Sequence, residues 1–244
     1  MLRHRATPLL HLLNAVRLRA APRAAELEAL AERWQRDLPH RFVVIEDGAG
    51  EALAEELGAR GWRRDRAVVM ALDPARTVVR DDPRAGEVDE PTLRAVERAI
   101  FDEDNIGPGA HPALPAQLAD AMADLRAATA CRRFAAGQDR DPAAMATLFL
   151  DPDVDGARVA QVESVGTLRG HRGQGLATAA VSAALAGARE WGAELVALLT
   201  DADDWPQVWY ASLGFRPVAR QVAYVRAAAG AGADSGAGSA GGGR

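Results

Sequence analysis

Arg172-Gly173-Gln174-Gly175-Leu176-Ala177 is the stretch on which the reading of this chain turns. It follows an apolar run ending Val162-Glu163-Ser164-Val165-Gly166-Thr167-Leu168 and opens an amphipathic segment, Leu176 to Trp191. A strand therefore feeds a glycine-containing turn, and the turn feeds a helix N-terminus. The first N–H groups of a helix have no intrahelical partner, and the helix dipole makes that end positive. Glycines at 173 and 175 let a ligand approach the backbone without meeting a Cβ. Arg172 adds a fixed charge with a planar fork of donors. Together these parts predict a site for a phosphate or pyrophosphate.

Which phosphorylated ligand it holds depends on the details. A P-loop needs Gly-Lys-Ser/Thr after the turn, and the chain contains no Lys, all its cationic side chains besides His being Arg. A dinucleotide-binding turn reads G-x-G-x-x-G with an acid past the next strand. Gly173 and Gly175 fit, and Asp201 follows the apolar run Leu195 to Leu199, but Thr178 stands at the third glycine. Little chain remains after Asp201 for the second half of a doubly wound sheet.

The third reading is acetyl-CoA. Arg-x-x-Gly-x-Ala at 172–177 resembles the pyrophosphate loop of the GNAT superfamily of acetyltransferases, whose pattern is Gln/Arg-x-x-Gly-x-Gly/Ala. Upstream, Val165-Gly166-Thr167 stands where that family pairs strand backbone with pantetheine. Downstream, Tyr210-Ala211-Ser212-Leu213-Gly214-Phe215 is similar to its Tyr-x-x-Leu-Gly-Phe ending. The resemblance is strongest over 157–220 and looser from 86. It implies an α/β (α+β) fold with a mixed, largely antiparallel sheet flanked by helices. It also implies acetyl-CoA as cosubstrate, a primary amine of a small molecule, peptide or protein as acceptor, and no metal. Val165, Gly166, Thr167, Arg172, Gly173, Gln174, Gly175, Leu176 and Ala177 are the implied cofactor-binding residues. A non-catalytic acyl-CoA-binding or regulatory module that retained the loop is the alternative.

Composition agrees with an ordinary globular protein: of 244 residues, 48% are hydrophobic and 26% charged. The net charge of -5 argues against non-specific binding to nucleic acid or an anionic membrane surface. One cysteine, Cys131, excludes an internal disulfide and reads as a small buried residue on a strand. No apolar run reaches the roughly 20 residues of a transmembrane helix. Residues 1–25 carry five arginines and no acid, superficially like a transit peptide, but Val16 and Leu18 alternate with Arg17 and Arg19 as in a strand. A folded beginning and a cytoplasmic protein are expected. The Arg-for-Lys bias suggests a GC-rich bacterial genome, and a homodimer is compatible with the sequence.

Four segments are expected: a partial, degenerate GNAT-like module over 1–75, a linker over 76–86, the acetyltransferase domain over 87–226, and a disordered Gly/Ala-rich tail over 227–244. His40-Arg41 and Gly61-Trp62 are similar to such an N-terminal half. The polar stretch Asp73 to Gly86, with Pro74 and Pro83, reads as connection. Helices are predicted over Pro22–Leu38, Glu51–Ala59, Pro91–Phe101, Leu114–Ala127 and Leu176–Trp191. Gly192 is the expected C-cap of the fifth and Asp204 the N-cap of a last helix. Phe215 to Arg226 is read as closing strands.

Acetyl transfer needs a neutral amine, a donor for the developing oxyanion and a proton for the departing thiolate. The resemblance makes Tyr210 the candidate general acid; the alternative is a core tyrosine beside Trp209. Where the family often shows Asn followed by Ala, this chain has Asp203 and Pro206. Glu163 is the candidate general base, directly or through a water; a structural glutamate is the alternative. A period of two places it on one strand face with Gln161, Val165 and Thr167. A carboxylate in a cleft has a raised pKa, which suits a base near neutral pH. His171 reads as an exposed loop residue, and Asp201, Asp203 and Asp204 as a cap and a solvated loop.

Overall fold

Alternating apolar runs and two long Ala-rich helical patterns produce one mixed sheet with helices on both sides. The computed structural model describes Leu10 and residues 14–46, 48–105, 110–138 and 141–227. The expected tail beyond Ala227 therefore lies outside the described residues. Strands β1 (Val16–Leu18), β2 (His40–Ile45), β3 (Arg63–Leu72), β4 (Ala85–Glu87), β5 (Cys131–Gln138), β6 (Asp141–Val154), β7 (Ala157–Thr167), β8 (Leu195–Asp201) and β9 (Arg216–Ala227) form a nine-stranded sheet. Its order is β1-β2-β9-β3-β8-β7-β6-β5-β4. The helices are α1 (Ala24–Gln35), α2 (Ala54–Ala59), α3 (Glu90–Asp104), α4 (Leu114–Ala128), α5 (Leu176–Trp191) and α6 (Pro206–Ser212).

Only β1–β2 and β7–β8 pair in parallel; the other neighbours are antiparallel. Parallel neighbours need a crossover, and α1 and α5 supply one each. Each crossover is followed by a short helix and a strand: α2 then β3, and α6 then β9. The chain thus contains two related halves, β1-α1-β2-α2-β3 and β7-α5-β8-α6-β9. In the sheet the last strands are exchanged: β9 lies between β2 and β3, and β3 between β9 and β8. The expected N-terminal module is therefore built into the same sheet as the acetyltransferase-like half. The closing segment is one 12-residue strand rather than several.

The halves match in detail at one turn. Gly61 and Gly214 both take positive φ, +80° and +100°. Trp62 N–H donates to Leu57 O at 3.0 Å, and Phe215 N–H donates to Tyr210 O at 3.1 Å. Leu57 of the first half therefore occupies the place of Tyr210 in the second.

Helix α5 lies in the main core, where Leu176, Ala180, Ala184 and Ala188 pack with Val162, Val196 and Leu198 of the sheet. Gly192 ends it in the left-handed conformation, as its sequence predicted. The stretch read as a linker is a strap along this helix. Arg189 Nη2 donates to Pro74 O at 2.8 Å and to Thr77 O at 2.6 Å, and Arg84 Nη1 donates to Gln174 O at 3.1 Å. Val79 of the strap packs against the core.

On the other face, α3 and α4 cover β5–β7. Arg126 is fully buried there and binds Glu97, itself fully buried, through both terminal nitrogens at 3.0 and 2.8 Å. It also reaches Glu90 at 2.8 Å. Burial pushes the Glu97 carboxyl up, against the pull of Arg126.

Candidate active site

The parallel pair β7–β8 is held by only three Cα partners, Val159–Leu195, Ala160–Val196 and Gln161–Ala197. Beyond them β7 runs on to Thr167 beside β6, and β8 runs on to Asp201 beside β3. Among the described residues Val162–Thr167 and Leu198–Asp201 do not pair with each other, so the sheet opens a wedge. Backbone N–H and C=O groups on its edges have no strand partner across the gap.

At the wedge β7 carries a bulge. Met145 is opposite Gly166 and Thr147 opposite Glu163, so β7 has one residue more than β6 between these rungs. Ser164 takes φ +52° there, an uncommon value for a residue with a Cβ. Its hydroxyl bonds the buried Glu97 carboxylate, tying the bulge to the charged cluster under α3. The extra residue breaks the period of two on which the expected shared face rested. Val162 and Val165 both pack toward α5. A Cβ on Gly166 would lie 3.0 Å from Ile100 Cδ1, on the α3 side. Glu163 therefore shares its face with Gln161, whose amide donates to its carboxylate, but not with Val165 and Thr167.

Burial raises the Glu163 pKa above the ordinary glutamate value, while the Gln161 amide and the Ser164 N–H pull it down. Tyr210 belongs to the core on the α5 face and is 8% exposed. Its pKa is raised, first by burial and then by the Glu163 charge. The two candidate catalytic residues thus start from opposite faces and meet electrostatically where the strands part. Trp209 packs at a tilt against Tyr210 with ring centroids 4.6 Å apart and donates to Thr178 Oγ1 at 3.3 Å, fixing α6 to the first turn of α5.

The turn beside the wedge has the expected form. Gly173 and Gly175 take φ +75° and +78°, and Gly175 is the N-cap of α5 without a side-chain cap. Arg172 Nε donates to Thr167 O at 3.1 Å and Nη2 to Asp104 at 3.0 Å. It pins the end of β7 to α3. His171 is half-buried rather than exposed, and its Nδ1 has no partner among the described residues. Asp204 accepts from Trp205 N–H, but Trp205 holds the N-cap position of α6; Pro206 starts the helix one residue later than a capping aspartate requires. Asp203 is taken up by Arg66 of β3, with Nε at 2.8 Å. Cys131 is half-buried on β5, with burial raising its thiol pKa.

Two residues near the site carry no sequence signal. Thr147, opposite Glu163, is fully buried, and its Oγ1 has no hydrogen-bond partner among the described residues. Arg84, remote in sequence, lies over the turn: a Cβ on Gly175 would be 3.7 Å from its Nη2. Among the described residues no group of three or more His, Cys, Asp or Glu could hold a metal ion, and no helix is long and apolar enough to cross a membrane.

The sheet thus parts beside a glycine-capped helix, with an acid and a tyrosine at the gap. Residues 98–215 match the acetyltransferase (GNAT) family. No curated protein matches the chain. A functionally unknown conserved protein from Staphylococcus epidermidis shares the fold at TM-score 0.72 and 12% identity, over 91% of this chain and 88% of its own. A GCN5-related N-acetyltransferase from Kribbella flavida is 25% identical at TM-score 0.50, over 76% and 67%. A tandem GNAT protein from the clavulanic acid biosynthesis pathway is similar at TM-score 0.57 and 19% identity, over 84% and 70%. The last likeness concerns fold alone, and its tandem architecture accords with the two halves seen here.

Proposed function

We propose that this protein is an acetyl-CoA-dependent N-acetyltransferase acting on a primary amine by direct attack on the thioester. The observation that carries the reading is the wedge past Gln161 and Ala197, which opens next to the bare N-terminus of α5. A pantetheine arm laid in the wedge bonds the free edge of β7 near Val165, Gly166 and Thr167. The diphosphate then meets the backbone N–H groups of 173–177. The acetyl carbon comes to lie between Glu163 and Tyr210.

The chemistry follows from the two side chains. Glu163, with its raised pKa, takes the amine proton as the new C–N bond forms. Bulge backbone N–H groups stabilise the oxyanion. The C–S bond breaks, and Tyr210 gives its proton to the thiolate. Its raised pKa keeps Tyr210 protonated at neutral pH, so no second negative charge faces Glu163. The amine proton on Glu163 then passes through solvent to restore Tyr210.

Release of free CoA thiol, followed across a panel of amines with the full chain, tests the reading. Thiol release dependent on one amine class supports it. Tight acetyl-CoA binding with no turnover on any amine favours the non-catalytic acyl-CoA-binding module instead. No acetyl-CoA binding refutes both.

A further inference from the structure

We infer that Arg84, on the strap that precedes β4, is a further side chain that recognises the diphosphate of the acyl carrier. This rests on the acyl-CoA reading above. The loop's own arginine, Arg172, gives two of its five hydrogens to Thr167 O and Asp104. Arg84 instead approaches the turn from outside. Its Nη1 donates to Gln174 O at 3.1 Å, and its Nη2 lies over Gly175.

The strap holds this guanidinium in place before any ligand arrives. Asp82-Pro83-Arg84-Ala85 is a tight turn, closed by Ala85 N–H donating to Asp82 O at 3.0 Å, with proline in the position that favours it. Asp82 also accepts from Arg84 N, Nε and Nη2, at 3.0, 3.0 and 2.7 Å. Gly137 N–H bonds Arg84 O at 3.0 Å, anchoring the turn to β5. Two of the five guanidinium hydrogens remain for phosphate oxygens, one on each terminal nitrogen. Arginine suits this task through its planar fork, and a charge-assisted bond from a pre-positioned fork is among the stronger polar contacts. Arg189 fixes one end at the C-terminal part of α5, which sets Arg84 at the other end over the helix N-terminus.

The test compares a carrier with the diphosphate and one without. Calorimetry gives acetyl-CoA affinity for the wild type, Arg84→Ala and Arg84→Gln. Steady-state rates give kcat/KM for acetyl-CoA and for S-acetylpantetheine. Both variants should bind acetyl-CoA about 10-fold or more weakly. The preference for acetyl-CoA over S-acetylpantetheine should fall by the same factor, and the salt dependence of acetyl-CoA affinity should flatten. Arg84→Gln keeps a donor for Gln174 O without the charge, so it separates recognition from folding of the strap. Unchanged acetyl-CoA affinity in either folded variant overturns the assignment, as does an equal loss for both carriers. Absence of acetyl-CoA binding in the wild type instead overturns the acyl-CoA reading, and Arg84's role with it.

Discussion

The two halves of this sheet share one plan and differ in what they leave open. In the first, β1 and β2 pair from Val16–Val43 to Leu18–Ile45, where both strands end, so no wedge forms. In the second, β7 and β8 run past their last shared rung. The N-terminus of α1 is closed by its own acid, Glu26 accepting from Arg23 N–H at 3.1 Å. The N-terminus of α5 ends in a glycine with no side-chain cap. Leu57 fills with hydrocarbon the place where Tyr210 has a hydroxyl. The comparison teaches that one supersecondary plan serves either as packing or as a ligand site. The choice rests on whether strand edges and helix ends are satisfied internally.

The comparison is broken most severely by removing the first half. Deleting residues 1–75 takes away β3, which separates β8 from β9, together with β2, the outer partner of β9. Three strands, β1 to β3, are lost, and with them Val68, Met70 and Leu72 of the main core. The truncated chain should fail to give a cooperative thermal transition or should aggregate, read by circular dichroism and light scattering. A monodisperse, cooperatively melting fragment would show that the second half is self-sufficient.

Closing the open helix end comes next. Gly175→Glu places bulk and negative charge where the diphosphate is proposed, and acetyl-CoA binding should become undetectable by calorimetry. Gly175→Ala meets the same positive φ, with a cost of roughly 1–2 kcal/mol, and separates strain from charge. Equal affinity in a folded Gly175→Glu protein would remove the loop from the site.

Making the halves more alike at the tyrosine tests chemistry. Tyr210→Phe keeps the ring on Trp209 and Phe215 and should lower turnover ~100- to 10,000-fold while acetyl-CoA affinity persists. At the matching place, Leu57→Ala should cost about 2–5 kcal/mol of stability and leave turnover per folded molecule alone. Normal turnover in Tyr210→Phe would reduce this residue to packing.

The mildest change carries a pH signature. Burial holds the folded-state pKa of Glu163 above its unfolded value. Between those two values the folded state binds more protons, so stability falls as pH rises through that window. Glu163→Gln has no such loss. It should therefore melt higher than the wild type at neutral pH, with the difference closing below the ordinary glutamate range. Its turnover should be lower, and the wild-type acid limb should lie above that range. Identical melting curves across pH would place Glu163 in water rather than in the cleft.

Much of the second half was legible because its signals are local. Gly173 and Gly175 prescribe backbone at a turn, Leu176 to Trp191 repeats at helical spacing, and the distance from Tyr210 to Phe215 is set within one short helix and its exit. Gly61-Trp62 likewise marked the first half as related. The bulge at Ser164 was hidden because an extra residue shows only against the register of β6, and it moved Glu163 off the face that simple alternation gives. The contact of Arg172 with Asp104 was hidden for a similar reason, because Asp104 is distant in sequence.

The sequence by itself determined the elements, the glycine turn ahead of α5 and the GNAT match of the segment from 98 to 215, since each depends on neighbours within a few residues. Tertiary structure alone decided the exchange of β3 and β9, the parting of β7 from β8 and the arrival of Arg84 at the turn. Those depend on pairings between distant segments, where hydrogen bonds and apolar burial are shared across the sheet and no local pattern specifies the partner.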